Sequence, residues 1–139
     1  MTRTPDGSAP RGAGRGDEGS AVAEFAAVAG ILALLFAAVV QLAVVQHVRS
    51  TAVDCAGEGA RYGALTGNSP ELGAQRTREL LAGALSPRFA DDVSAQVRTR
   101  DGVEVVEVRV RAPLPVIAFL GVGRVLDVRG HALQEGGLA

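Results

Sequence analysis

The spacing of apolar and polar residues changes along the chain, and each change marks an element. Residues 1–18, MTRTPDGSAPRGAGRGDE, have no period. Gly, Pro, Ser and charge in that mixture bury too little apolar surface to order a segment, so residues 1–19 read as a disordered leader. Residues 25–48 then carry no charge when His47 is neutral. As a helix, this block of 24 residues extends about 36 Å, against about 30 Å of bilayer hydrocarbon. A transmembrane helix is predicted over residues 20–48. The core helix of a soluble domain seldom stays uncharged for so long. The apolar region of a cleaved secretory signal is shorter, about 7–15 residues, and ends at small residues.

Helical spacing continues past the apolar block, through HVRSTAVDCAGEGARYGAL, without a proline. Ala52, Ala56, Ala60 and Ala64 recur every fourth residue with Gly59 and Gly63 beside them. This stripe, nearly free of side chains, lets another element approach closely. Asp54, Glu58 and Arg61 fall on other faces, toward water. TGNSPE breaks the helix: Gly67 and Asn68 suit a C-terminal cap, and Ser69 before Pro70 suits the start of a second helix over residues 70–85. Its inner side is expected to use Ala74, Thr77, Leu81, Ala84 and Leu85, opposite Gln75 and Arg78. SPRFADD closes it as a loop.

From residue 93 the period is two. Val93, Ala95 and Val97 alternate with Ser94, Gln96 and Arg98; RDG makes a turn; Val106, Val108 and Val110 alternate with Glu107, Arg109 and Arg111. That is a half-buried hairpin, with a bulge or register shift expected where Val105 and Val106 stand side by side. Pro113 and Pro115 end the second strand, and VIAFLGVG reads as a short apolar connection resting on the hairpin or on the membrane surface. A third strand, about residues 124–133, sets Leu126, Val128 and Ala132 on one face and Asp127, Arg129 and His131 on the other. The fold class is α+β. A long N-terminal transmembrane helix continues into a small domain, residues 49–139, with a second helix and a three-stranded antiparallel sheet covered by the small-residue stripe.

Composition narrows the functional classes. The 139 residues fit one small domain with an appendage, and a positive mean hydropathy with only 4% aromatics fits a membrane segment. A net charge of -1, with no run of arginines interleaved with aromatics, gives no electrostatic footprint for nucleic acid. Cys55 is alone, which excludes an internal disulfide framework and a multi-cysteine metal site. Asp54 precedes it and the apolar block lies well behind, so Cys55 reads as a small packing residue and not as a lipid anchor. Nothing points to catalysis. His47 and His131 are far apart, Asp91 and Asp92 are adjacent loop acids of the turn-promoting kind, and GVGRVL lacks the third glycine and the preceding strand of a dinucleotide fingerprint. No catalytic residue, cofactor or metal site is expected.

GSAVAEF, residues 19–25, puts a lone acid, Glu24, ahead of the apolar block. A carboxylate in hydrocarbon is costly. Cutting the chain after Gly19 makes Ser20 the new terminus and leaves Glu24 one helical turn in. A terminal amine has a pKa of about 7.7–8.0 and is mostly protonated at neutral pH, so the cut supplies Glu24 with a cation, its own or a neighbouring subunit's. Gly19 suits such a cut, because backbone without a side chain is easily held extended by a protease. Alternatively, Glu24 marks the interface of an uncleaved signal anchor and its carboxylate snorkels to water. The residues alone support both.

EGSAVAEF, followed by the apolar helix, resembles the processing site of type IV prepilins in the form used by tight-adherence (Tad) pili, where prepilin peptidase cuts after glycine and Glu-Phe or Glu-Tyr follows. AGEGARYGAL after the helix and the C-terminal pattern VVEVRVRAPLP to LDVRGHA are similar to TadE-like minor pilins (pseudopilins), over roughly residues 19–133. The resemblance implies a pilin-like fold, processing between Gly19 and Ser20, recognition completed by Glu24 and Phe25, and a part for Glu24 in assembly. The partners it implies are prepilin peptidase, other Tad pilins, the pilus assembly platform and the lipid bilayer. The implied location is the bacterial cytoplasmic membrane, crossed once with the amino end inside and the domain outside, or a pilus that serves adhesion or secretion. Arg3, Arg11 and Arg15 before the helix against Arg49 and Arg61 after it make a small positive-inside bias of the same sense. Gly30 departs from the family pattern, standing where many relatives carry a helix-bending proline. The about 90 residues beyond the helix set the chain apart from the major Tad pilin, which is little more than the helix. Two other classes stay open: an uncleaved, single-pass, membrane-anchored binding domain that does not polymerise, and a shorter-lived assembly or secretion factor with a pilin-like helix.

Overall fold

The computed structural model describes residues 1–2, 16–114 and 125–135. The leader arginines Arg3, Arg11 and Arg15 and the VIAFLGVG connection lie outside the described residues. The elements are α1 (Gly16–Ala64), α2 (Pro70–Ala84), a 3-10 turn (Pro87–Phe89), β1 (Asp92–Arg100), β2 (Val103–Pro113) and β3 (Val125–Leu133). This is the α+β set anticipated from the sequence. The chain divides into two compact units, Met1–Val39 and Val40–Ala139.

In the first unit, α1 forms from a run of Ala, Leu and Val and passes Gly30 as helix. Every residue from 19 to 39 is exposed. Phe25, Ile31, Leu34 and Phe36 are each 65–75% exposed, although they point around the whole helix. A helix that is apolar on all sides, with no protein surface around it, is suited to an apolar solvent. It is long and apolar enough to cross a membrane, and none of its most apolar window is buried in the chain.

In the second unit, Val48, Ala52, Cys55, Ala56, Ala60 and Ala64 form a buried line along α1. They share a core with Val93, Val106, Val108, Val110, Leu126 and Val128 of the sheet. Val48, the last residue of the uncharged block, is already part of this core. Gly130 of β3 lies so close to the α1 backbone at Ala56 and Gly57 that a side chain has no room. Gly59 and Gly63 of α1 serve a different neighbour. A Cβ on Gly63 would stand 3.1 Å from the Gly73 Cα of α2, and one on Gly73 would stand 2.6 Å from the Gly59 carbonyl oxygen. The expected single stripe is thus two: alanines toward the sheet and glycines toward α2. Thr77 Oγ1 donates to the Gly73 carbonyl at 2.9 Å and also lies 3.4 Å from the Cys55 carbonyl, which satisfies the hydroxyl inside the crossing.

The break between the helices follows the expected capping chemistry. Gly67 has a φ of +87° after α1. Ser69 Oγ accepts from the Leu72 amide at 3.3 Å, and Pro70 opens α2. Ala74, Thr77 and Leu81 are buried as predicted, and Leu85 is half-buried. Ala84 is exposed at the last residue of α2; the larger Leu80, Leu85 and Phe89 fill that end of the core instead. The stretch expected to be a plain loop contains the 3-10 turn that carries buried Phe89 inward.

The sheet order is β1-β2-β3, antiparallel throughout. Asp101 (φ 53°) and Gly102 (φ 81°) make the β1–β2 connection, a two-residue turn with both residues left-handed, which Asp-Gly favours. The bulge expected at Val105 and Val106 is absent among the described residues. The register runs without interruption from Arg100↔Val103 to Asp92↔Arg111. Val105 is apolar because it is buried on the outer face, in register between Arg98 and Leu133. The end of the sheet is tied to the end of α1 by the Glu135 amide, which donates to the otherwise orphaned Ala64 carbonyl at 2.9 Å.

Candidate functional site

Gly19, Ser20, Glu24 and Phe25 lie in the first turns of α1, and all four are exposed. Ser20 and Glu24 are four residues apart and therefore stand one above the other on the same face. Phe25 points about 100° further round. Nothing lies within 4 Å of where a Gly19 side chain would begin, so the backbone there is open to approach. α1 starts at Gly16, and the Gly19–Ser20 bond is inside the helix. The arrangement is an accessible small-residue backbone followed, one turn on, by a carboxylate at the entrance of an exposed apolar helix.

A second constellation was not visible in the sequence. On the outer face of the sheet, Glu107 of β2 is only 5% exposed, although alternation predicts a water-facing residue. His131 Nε2 lies 3.0 Å from its Oε2, Arg98 Nε 3.1 Å from its Oε1, and the Gln96 amide nitrogen 3.3 Å from the same oxygen. Burial pushes the Glu107 carboxyl up. The His131 and Gln96 contacts and the charges of Arg98 and Arg129 outweigh it, and the group is held below its ordinary value. Beside it, Arg109 grips Asp127 through two guanidinium nitrogens, Nε to Oδ1 at 2.8 Å and Nη2 to Oδ2, and the hydrogen bond lowers the Asp127 carboxyl below its ordinary value. Alternation identifies a polar face, but only the register Gln96↔Glu107↔His131 reveals which groups meet. His131, placed on the polar face of the third strand by the sequence, is hydrogen-bonded to Glu107 there.

Cys55 is buried in the core, and its thiol is pushed up by burial and then by the neighbouring Asp54 charge. Among the described residues, no three His, Cys, Asp or Glu side chains stand together in a metal-binding group.

Fold and exposed helix together define the class: a small α+β domain borne on one apolar helix long enough to cross a membrane. Residues 19–61 match the family described as TadE-like protein. The match begins at Gly19 and ends at Arg61, so the chain has a TadE-like N-terminal helix, consistent with a protein of Tad pilus systems, while α2 and the sheet lie beyond the matched residues. No curated protein and no solved structure matches the chain.

Proposed function

We propose that this chain is a minor pilin, or pseudopilin, of a Tad-type pilus that serves adhesion or secretion, with no catalytic role of its own. It enters the bacterial cytoplasmic membrane as a single-pass protein, amino end inside and folded domain outside. Prepilin peptidase cuts between Gly19 and Ser20, with Glu24 and Phe25 completing the recognised segment. The pilus assembly platform then moves the helix from lipid into contact with other Tad pilins.

One observation carries this reading: the TadE-like match starts at Gly19, at the head of a helical segment, residues 19–39, that is exposed on every side. Such a helix is stable in two settings, a bilayer or a bundle of similar helices. Ala26, Ala27, Ala29 and Gly30 leave the close surface that helix packing without water needs. The cut places a protonated amine at Ser20, one turn from Glu24, and so provides the counter-charge that a carboxylate entering a helix bundle lacks.

The uncleaved anchor draws on a different observation. α1 already includes the Gly19–Ser20 bond, so a peptidase that holds its substrate extended must first unwind this turn. Intact mass and amino-terminal sequencing of the chain, produced with and without prepilin peptidase, separate the two. A terminus at Ser20 that depends on the peptidase is the expected result. An unchanged leader in both leaves the anchored binding domain, and a cut beyond the apolar block would mean ordinary secretion.

A further inference from the structure

β2 is the middle strand of the sheet, so β1 and β3 each have one edge that faces no strand among the described residues. The two edges differ. Beside β3 lies α1, against whose backbone Gly130 packs and whose Ala64 carbonyl takes the Glu135 amide. β1 is covered at its start, where Val93 is buried and Arg78 Nη2 of α2 donates to the Val93 carbonyl at 2.7 Å. From Gln96 to Arg100 every residue of β1 is exposed.

The two-residue turn at Asp101 and Gly102 fixes which backbone groups this edge presents. It makes Arg100 and Val103 a hydrogen-bonded pair, and alternate residues back along β1 share that state. Ala95, Val97 and Thr99 fall between them, so their N–H and C=O groups point away from β2. Val93 has the same phase, and its carbonyl, taken by Arg78, does point outward. The far half of β1 is thus a template for a further strand.

Its side chains specify which strand fits. On the outer face, Arg98 and Arg100 border a concavity of about 380 Å³ that Arg129 and His131 also line. Of its described lining residues only Glu107 is acidic, and it is 5% exposed, beneath Arg98 and His131. Asp101 lies in the turn beyond the last pair and does not line the concavity. Among the described residues neither Arg100 nor Arg129 makes an ion pair. On the inner face Val97 is 40% exposed, although Val106 across the ladder is buried. Glu104 stands across from Thr99 on that face and disfavours acids there. A strand with acids on one face and apolar side chains on the other therefore fits one way round, acids beside the arginines and apolar groups beside Val97.

We propose that the edge of β1 between Ala95 and Arg100 binds, by strand addition, an extended segment of a partner protein in which acidic and apolar residues alternate. The proposal goes beyond the pilin reading and needs neither cleavage at Gly19 nor a pilus.

The test uses the uncut full-length chain in detergent and a fluorescent peptide of about six residues that alternates glutamate with valine. Fluorescence anisotropy reads the binding, at about 0.15 M salt, where charges more than about 8 Å apart are largely screened. Arg100→Glu should weaken it by about tenfold or more, and the peptide with lysine in place of glutamate should not bind. Arg76→Glu makes the same charge change on α2 and should leave binding as it is. Thr99→Pro removes an outward N–H, spares the β1–β2 ladder and should weaken binding by about fivefold or more. N-methylation of alternate peptide residues probes the same bonds from the other side, whether or not the proline variant folds: one phase of methylation should abolish binding and the other preserve it. Absence of binding, binding of the lysine peptide, indifference to Arg100→Glu or to a folded Thr99→Pro, or an equal loss with Arg76→Glu would overturn the proposal. So would equal binding by both methylated peptides, which together with a loss on Arg100→Glu would leave a site for polyanions in place of strand addition.

Discussion

Glu107 sits in the middle of the central strand with its carboxylate beneath Arg98 and His131. Both partners are themselves about half exposed, so the cover is thin and the burial cost modest. Because the folded carboxyl titrates below its ordinary value of 4.5, its contribution to stability is complete above about pH 4.5 and is lost as the pH falls through the lower folded value. Glu107→Gln keeps the shape and removes the charge. It should cost about 1–2 kcal/mol at neutral pH, the range for a charge-assisted hydrogen bond with partly exposed partners, and should flatten the acid limb of the stability curve. Thermal melts of the full chain in detergent at pH 3–7 read both effects. A variant with the parent's acid limb would show that other carboxylates dominate it.

Close approach between elements depends on glycines whose requirement is set by the partner's backbone. Gly130→Ala pushes a methyl into the main chain of α1 at Ala56 and Gly57, where no side chain can swing aside. Strand and helix must separate, at an expected cost of about 1–3 kcal/mol or more. Gly83→Ala, in the exposed last turn of α2 with nothing within 4 Å, should be neutral or stabilising by up to about 1 kcal/mol. Denaturation of the two variants side by side checks this contrast, which a general effect of losing glycine would not produce. The α1 glycines were legible as a small-residue stripe in the sequence. Gly73 and Gly130 were not, because an isolated glycine in a helix or a strand says nothing of what it faces.

For the chain as a whole, the decisive property is that its most apolar segment is exposed among the described residues. The pilin reading assigns its cover first to lipid and then to other helices, with Glu24 setting the axial register through an amine. Glu24→Gln should leave membrane insertion intact, since it makes the helix less polar, and should strongly reduce recovery of the protein in sheared pili. Fractionation of membranes and pili measures both. Undiminished incorporation would remove Glu24 from the assembly step.

What the sequence determined by itself was the periodic content: an uncharged run of bilayer length, the Ala and Gly stripe, the Ser69–Pro70 helix start, the Asp-Gly hairpin and the alternating strands. Each rests on local chemistry, the reach of a helix, a cap or a turn, and needs no knowledge of distant residues. The lone acid at Glu24 was legible for the same reason, as a charge out of place in its own neighbourhood. Only the tertiary structure decided that alanines face the sheet while glycines face α2, that Val105 fits an unbulged register, that Ala84 lies outside the core, and that Glu107 is covered by Arg98 and His131. Those facts depend on strand register and helix crossing, which bring together residues more than twenty positions apart, and no period along a single chain encodes which of them will meet.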